Sequence, residues 1–121
     1  MNPKQEARRV RQYTRRNEIL ARMGYPTYAA YLASPLWAKV RRAFLNDVRK
    51  DFLGGDCPCW SCGAHATQVH HGRYTKKNLT GESFHHLYAV CRKCHEACEF
   101  SDDGEKLSPR DSVLRLQKLS R

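Results

Sequence analysis

The sequence predicts a small α+β domain that a bound metal ion stabilises. Two Cys-x-x-Cys pairs, Cys59/Cys62 and Cys91/Cys94, bracket two short segments of β character. The segments on either side place apolar residues at helical spacing and begin helices with Ser-Pro steps. A single domain of 121 residues buries too little surface for its core alone to give high stability. A structural zinc site would add on the order of 10 kcal/mol.

The two cysteine pairs are predicted to be one structural zinc site. Four thiolates close a tetrahedral Zn²⁺ shell, and each Cys-x-x-Cys turn directs two sulfurs to one side. The 28 residues between the pairs exceed the usual zinc-ribbon spacing, and the surplus carries His70 and His71. Two alternatives stay open: Cys57 could replace Cys59, or the two histidines could replace two cysteines.

The six cysteines also bear on the compartment. They could form three disulfides in an oxidising environment. The Cys-x-x-Cys spacing, the adjacent histidines and the lack of an apolar signal core favour metal binding in a reducing cytoplasm instead. No run of 18 apolar residues exists, so no membrane span is expected.

The positive charge is concentrated in the first half of the chain. Residues 1–50 contain twelve Lys or Arg against three Asp or Glu, a net +9 of the total +10. This asymmetry indicates a polyanionic partner, and nucleic acid is the leading candidate because neutralised phosphates release counterions. A basic helix that merely keeps the protein soluble would show the same composition.

Three helices are predicted before the first cysteine pair. Residues 1–24 form a basic helix or an arm that orders on binding. Thr27 caps a short helix that ends at residue 32 or 33, and Ser34 caps a third that runs from Pro35 to about Asp51. The apolar face of this third helix is expected to pack in the core: Leu36, Trp37, Val40, Phe44, Val48 and Phe52.

The second half is predicted to contain two strands and two helices. Residues 67–71 and 85–90 form the strands, with a loop over 72–83 between them. A helix runs from Arg92 to about Phe100, an acidic loop follows, and a last helix begins at Ser108-Pro109. That helix is expected to pack through Val113, Leu114, Leu116 and Leu119. The chain thus divides into a basic arm (1–26), a central domain (27–107) and a C-terminal helix (108–121).

A second, open site is predicted beside the cysteines. His70 and His71 are adjacent on a strand, so their side chains point to opposite faces. One imidazole can bind a metal ion while the other remains free to accept a proton. Glu99 lies one helical turn after His95 and on the same face. A carboxylate at this position favours Mg²⁺ or Mn²⁺ as the ion.

This pattern resembles the His-Asn-His (HNH) endonucleases over residues 28 to about 100. The resemblance rests on Val69-His70-His71, on Cys-Arg-Lys-Cys-His at 91–95, and on the lead-in Tyr-Ala-Ala-Tyr-Leu-Ala-Ser-Pro-Leu-Trp. It implies the ββα-metal fold, flanked here by N-terminal basic helices and a C-terminal helix. It also implies that His70 and His95 bind the catalytic ion and that His71 is the general base. Glu99 stands where family members often have His or Asn, and it is predicted to be a further ligand. An imidazole near its ordinary pKa suits a general base at neutral pH.

The middle asparagine of the family has no direct counterpart. Its position on the second strand corresponds to His86, which is therefore predicted to be catalytic in its place. The resemblance assigns this residue a hydrogen bond that shapes the loop and orients the base. Asn78 is the alternative for that role.

The predicted function is metal-dependent hydrolysis of DNA, with Zn²⁺ as the structural ion. Mg²⁺ or Mn²⁺ is expected as the catalytic ion, and Zn²⁺ or Ni²⁺ are further possibilities. The alternatives are a non-catalytic zinc-stabilised module that binds nucleic acid, or a subunit of a larger nuclease assembly. The residues predicted to contact DNA are all basic: Arg8, Arg9, Arg15, Arg16, Arg41, Arg42, Arg73, Lys76 and Lys77.

Overall fold

A computed structural model describes residues 1–119, so the last two residues of the predicted C-terminal helix lie outside the described part. Within it the chain is a small mixed helix and sheet protein. The α-helices and strands in chain order are α1 (Pro3–Arg22), α2 (Tyr28–Leu32), α3 (Pro35–Arg49), β1 (Gln68–His71), α4 (Lys76–Thr80), β2 (Leu87–Val90), α5 (Arg92–Cys98) and α6 (Pro109–Leu119), and a 3-10 turn (Leu53–Gly55) follows α3.

The three N-terminal helices begin where the sequence places its capping residues. Asn2 and Gln5 form a reciprocal capping box at the start of α1. Thr27 accepts a hydrogen bond from the Ala30 N–H at the start of α2, and Ser34 accepts one from the Trp37 N–H at the start of α3. Local capping therefore confirms the predicted starts of α2 and α3, and the basic segment is a helix.

The two strands form one antiparallel pair, in which His70 lies opposite Tyr88 and His71 opposite Leu87. The second strand is shorter than predicted, because His86 adopts a left-handed backbone conformation with φ 67°. That conformation is incompatible with an extended strand. The chain therefore turns sharply at His86 before it enters β2.

Residues 72–83 were predicted to be a loop but contain the short helix α4. Thr75 and Asn78 form a capping box, in which each side chain accepts a hydrogen bond from the backbone N–H of the other residue. Gly81 ends the helix with φ 81°, a conformation that glycine adopts without strain. The close approach of Val40 also favours glycine here, since a Cβ would lie 2.9 Å from the Val40 side chain.

The apolar core lies between α3, α4 and the strand pair, with Trp37, Val40 and Phe44 buried as predicted. Phe52 lies beyond the end of α3 and is exposed. Leu116 packs inward from α6. The predicted packing of Leu114 and Leu119 is wrong: both are exposed, because α6 turns Ser112 and Leu116 toward the core.

Candidate metal centres and a basic groove

The four predicted cysteines form one cluster. The sulfur atoms of Cys59, Cys62, Cys91 and Cys94 all lie within 4.8 Å of one another, and all six cysteines are free thiols. The Sγ atoms of Cys62 and Cys91 are 3.7 Å apart, close to the edge of about 3.8 Å in a tetrahedral zinc–sulfur shell. Cys57 is buried outside the cluster. The cluster can hold a metal ion such as zinc.

The chemical environment of the cluster favours thiolate formation at one cysteine and opposes it at another. Burial alone would raise the pKa of Cys59, yet backbone hydrogen bonds from Cys62, Cys91 and Ser61 bring that pKa down to about 7. Burial raises the pKa of Cys94 to about 12. A bound cation would lower the pKa of both thiols, because it stabilises all the thiolates together.

The second cluster consists of His70 on β1, His95 on α5 and Glu99 directly after α5. Their ligand atoms also lie within 4.8 Å of one another. His70 is buried, whereas the side chains of His95 and Glu99 are 24% and 31% exposed. The three residues predicted to bind the catalytic ion are therefore brought together at a site that is open to solvent on one side.

Hydrogen bonds fix which nitrogen of each imidazole can bind an ion. The Ser112 hydroxyl donates to the Pro109 carbonyl at 2.6 Å, so its oxygen accepts from Nε2–H of His70 at 2.7 Å. His70 Nδ1 therefore carries the lone pair. His95 donates from Nδ1 to Oε1 of Gln68 at 2.7 Å, so Nε2, which faces Oε1 of Glu99 at 3.3 Å, is the nitrogen that can bind an ion. Metal-binding histidines commonly have their second nitrogen held in this way.

The protonation states of this cluster suit a divalent cation at neutral pH. Burial lowers the pKa of His70 to about 4, so its imidazole is neutral. Glu99 lies 3.3 Å from His95 Nε2 and accepts a hydrogen bond from Lys106 at 2.7 Å. The hydrogen bond from His95, together with Lys106, holds the pKa of Glu99 at about 2, so it is ionised.

His71 points away from this cluster, into an aromatic pocket. Its ring lies 4.8 Å from that of Trp37 and stacks at 5.2 Å on that of Tyr74. The Tyr28 hydroxyl lies 3.1 Å from His71 Nδ1. Nε2 is buried and has no hydrogen-bond partner within residues 1–119. The two adjacent histidines thus face opposite sides of β1, as predicted from the strand geometry.

The expected ordinary pKa of His71 is wrong. Only 3% of the side chain is exposed, and this burial lowers its pKa to about 3. The strand pattern predicts which face His71 occupies. It cannot predict that Tyr28, which precedes His71 by 43 residues, covers that face together with Trp37 and Tyr74.

Asn78 makes the loop-shaping hydrogen bonds that the sequence left open between Asn78 and His86. Its side-chain amide donates to the Arg73 carbonyl at 2.6 Å and to the His85 carbonyl at 3.4 Å. His86 contributes its backbone carbonyl to the Gly72 N–H at 2.8 Å. Its ring lies beside that of His85 and lines a groove described below.

A groove of about 910 Å³ lies between α1, the loop after β1 and the start of α6. We call it the basic groove. Six exposed basic residues line its rim: Arg11, Arg15, Arg22, Arg73, Lys76 and Arg110. Within residues 1–119 no acidic side chain lines it. Three of these residues, Arg15, Arg73 and Lys76, were predicted to contact DNA.

The other predicted DNA-contacting residues lie outside the basic groove. Arg8 pairs with Asp111 at 2.8 Å, Arg9 pairs with Glu6, and Arg41 donates to the Thr67 carbonyl. Arg16 lies over the rings of Tyr13, Tyr28 and Tyr74, at 4.3 to 5.3 Å from their centroids. Arg42 and Lys77 are exposed elsewhere on the surface.

Several residues at the second cluster were not predicted from the sequence. Gln68 could have been found, since it lies two residues before His70 and therefore on the same face of the strand. Lys106 and Ser112 come from the C-terminal segment, and no local pattern indicates that this segment packs against the histidines.

No family model matches this chain, and neither a curated protein nor a solved structure matches it. Within the described part of the chain, no helix has the length and apolarity that crossing a membrane requires.

Proposed function

We propose that this chain is a metal-dependent DNA endonuclease of the HNH type, in which β1, β2 and α5 form a ββα-metal core. The observation that carries the proposal is the cluster of His70, His95 and Glu99 beside a separate four-cysteine cluster. One cluster is suited to a structural ion. The other has few protein ligands and partial exposure, which leaves positions for water and substrate.

The second cluster would hold one divalent ion. When bound, such an ion acts as a Lewis acid on a phosphoryl oxygen and stabilises charge on the leaving oxygen. Two imidazoles and one carboxylate favour Mn²⁺, Zn²⁺ or Ni²⁺ over Mg²⁺, because Mg²⁺ prefers oxygen ligands. Gln68, Ser112 and Lys106 would orient the three ligands.

His71 would accept the proton of the attacking water at Nε2. The Tyr28 hydroxyl at Nδ1 orients the ring, and Nε2 has no competing partner within residues 1–119. A pKa of about 3 makes the imidazole a weak base in the free protein. A phosphodiester anion beside the ring would raise that pKa, since a negative charge favours the protonated form. We expect the aromatic cover over His71 to shift when DNA binds.

A zinc-stabilised module that binds nucleic acid without cleaving it is the second candidate. The observation that favours it is the burial of His71, of which only 3% is exposed. The basic groove would serve both functions equally, so only a cleavage assay separates them.

The test is nicking of supercoiled plasmid by zinc-loaded protein with added Mn²⁺, Mg²⁺, Ni²⁺ or Zn²⁺. We expect His71→Ala and His95→Ala to reduce the rate by roughly 100-fold or more, while His65→Ala leaves it unchanged. His65 is exposed and belongs to neither cluster, so it is the matched control. Cleavage by His71→Ala at the wild-type rate would exclude it as the base. Plasmid binding without cleavage under all four ions would support the second candidate.

A further inference from the structure

The basic groove combines a charged rim with an apolar floor. The floor is formed by Ile19 from α1, Met23 directly after it, Tyr88 from β2, and Val113 and Leu114 from α6. Leu114 is 48% exposed, although Ser112 and Leu116 on the same helix are buried. The loop approaches α6 closely at Gly72, where a Cβ would lie 2.6 Å from the Val113 side chain.

Five of the six charges on the rim have no carboxylate partner within residues 1–119. Among residues 1–119, only Arg15 of the six has a carboxylate within 4 Å, that of Glu18 at 3.9 Å. Three basic residues outside the groove are paired much more closely: Arg8 and Arg115 have carboxylates at 2.8 and 2.9 Å, and Lys106 has one at 2.7 Å. Unpaired like charges around one cavity repel each other, and an anionic ligand would relieve that repulsion.

The apolar floor suits unpaired nucleic acid better than a duplex. A duplex presents phosphates to a basic surface and keeps its base faces stacked inside. An unpaired strand can place phosphates on the rim and bases against aromatic and aliphatic side chains. Arg11, Arg15 and Arg22 follow one stripe of α1 over about 16 Å, a length of roughly five nucleotides at stacked spacing.

We propose that the basic groove binds an unpaired stretch of DNA, so that the preferred substrate is single-stranded or branched. The choice of DNA over another polyanion rests on the proposed endonuclease function. The groove also lies next to the candidate catalytic residues. Gly72 and Arg73 directly follow His71, and Pro109 on the groove wall accepts the hydrogen bond of the Ser112 that holds His70.

The test is fluorescence anisotropy with zinc-loaded protein and no other divalent metal, which separates binding from cleavage. The probes are a labelled oligothymidylate of about 15 nucleotides, longer than the roughly five that the groove spans, and a duplex of equal length. We expect the single strand to bind about ten-fold more tightly at the same salt concentration. Equal or tighter binding of the duplex would overturn the proposal, as would equal competition by polyglutamate and unlabelled oligothymidylate.

Two variants with matched controls test the floor and the rim separately. Leu114→Ser should weaken single-strand binding by about five-fold or more and leave duplex binding unchanged. Leu53→Ser, at a leucine that is 98% exposed away from the groove, should change neither. Arg110→Gln should reduce the salt dependence for the single strand by about 0.7 in log–log slope, while Lys39→Gln, at an exposed lysine outside the groove, should not. If a variant and its control change single-strand binding equally, in either pair, the strand does not bind in the groove.

The binding test and the plasmid cleavage assay can fail independently, so the two proposals are tested separately. Single-strand preference without plasmid cleavage would refute the endonuclease and keep the groove assignment. Cleavage of plasmid by a protein that shows no single-strand preference would do the reverse.

Discussion

The two candidate metal centres of this protein are built in different ways. Cys59 and Cys62 of the first centre lie in a turn before β1, and Cys91 and Cys94 are the N-cap and first turn of α5, directly after β2. The second centre takes its ligands from β1 and the end of α5, but its geometry depends on Ser112 and Lys106 in the C-terminal segment. The first centre therefore joins two segments that flank the strand pair, whereas the second centre also requires the C-terminal segment to be folded against them. We expect perturbations at the first centre to unfold the protein and perturbations at the second to change metal binding alone.

The largest expected effect is loss of the cysteine centre. Cys94→Ser should lower the free energy of unfolding by several kcal/mol, because zinc binding contributes on the order of 10 kcal/mol in small zinc domains. A strong chelator should have the same effect on the wild type. Thermal unfolding followed by circular dichroism measures both.

Cys57→Ala is the control for this substitution. Cys57 is fully buried but lies outside the cluster, so its truncation should cost about 1 kcal/mol. If Cys94→Ser unfolds at the temperature of the control, the cysteine centre does not stabilise the fold.

A smaller effect is expected at Ser112, where folding and metal binding can be separated. Ser112→Ala removes the acceptor that holds His70 Nε2–H, and it should weaken metal binding at the second centre by about ten-fold. Ser112→Thr keeps the hydroxyl and should restore most of the affinity. Calorimetric titration of zinc-loaded protein with Mn²⁺ measures the affinity without relying on activity.

Ser108→Ala separates positioning from simple destabilisation of α6. The Ser108 hydroxyl caps the same helix by accepting from the Asp111 N–H at 3.1 Å. Its loss should cost about 1 kcal/mol of stability and leave Mn²⁺ affinity unchanged. If both alanine variants weaken Mn²⁺ binding equally, the role of Ser112 is structural.

The sequence predicts more of the first centre than of the second, because only local signals can be recognised without knowing the fold. Cysteine spacing is a local signal, so the four thiols of the first centre could be identified without knowing the fold. His70, His95 and Glu99 could be identified from the HNH resemblance and helical spacing. Ser112 could not, because the apolar residues of α6 pointed to a different buried face that included Leu114. The capping box at Thr75 and Asn78 is a local signal of α4 that the loop prediction overlooked.

The same limit applies to the basic residues. Charge count predicts a polyanion-binding surface and cannot say which arginines form it. Arg8, Arg16 and Arg41 are held by Asp111, tyrosine rings and the Thr67 carbonyl. Only the packing of α1 against α6 brings Arg11 and Arg110 together at one groove.

The smallest expected effect is a fall in proton release at the cysteine centre as the pH rises. Metal binding requires thiolates. The pKa of Cys94 is about 12, so its thiol is protonated near pH 7. The pKa of Cys59 is about 7, so about half of this thiol is protonated at the same pH. Together these two groups release about two protons at pH 6 and about one at pH 8, so affinity at the cysteine centre rises with pH. His70 and Glu99, with pKa values of about 4 and about 2, release none over that range. Calorimetry at both pH values in buffers of different ionisation enthalpy counts the protons, and release at the cysteine centre that does not fall from pH 6 to pH 8 would contradict the protonation state derived for Cys59.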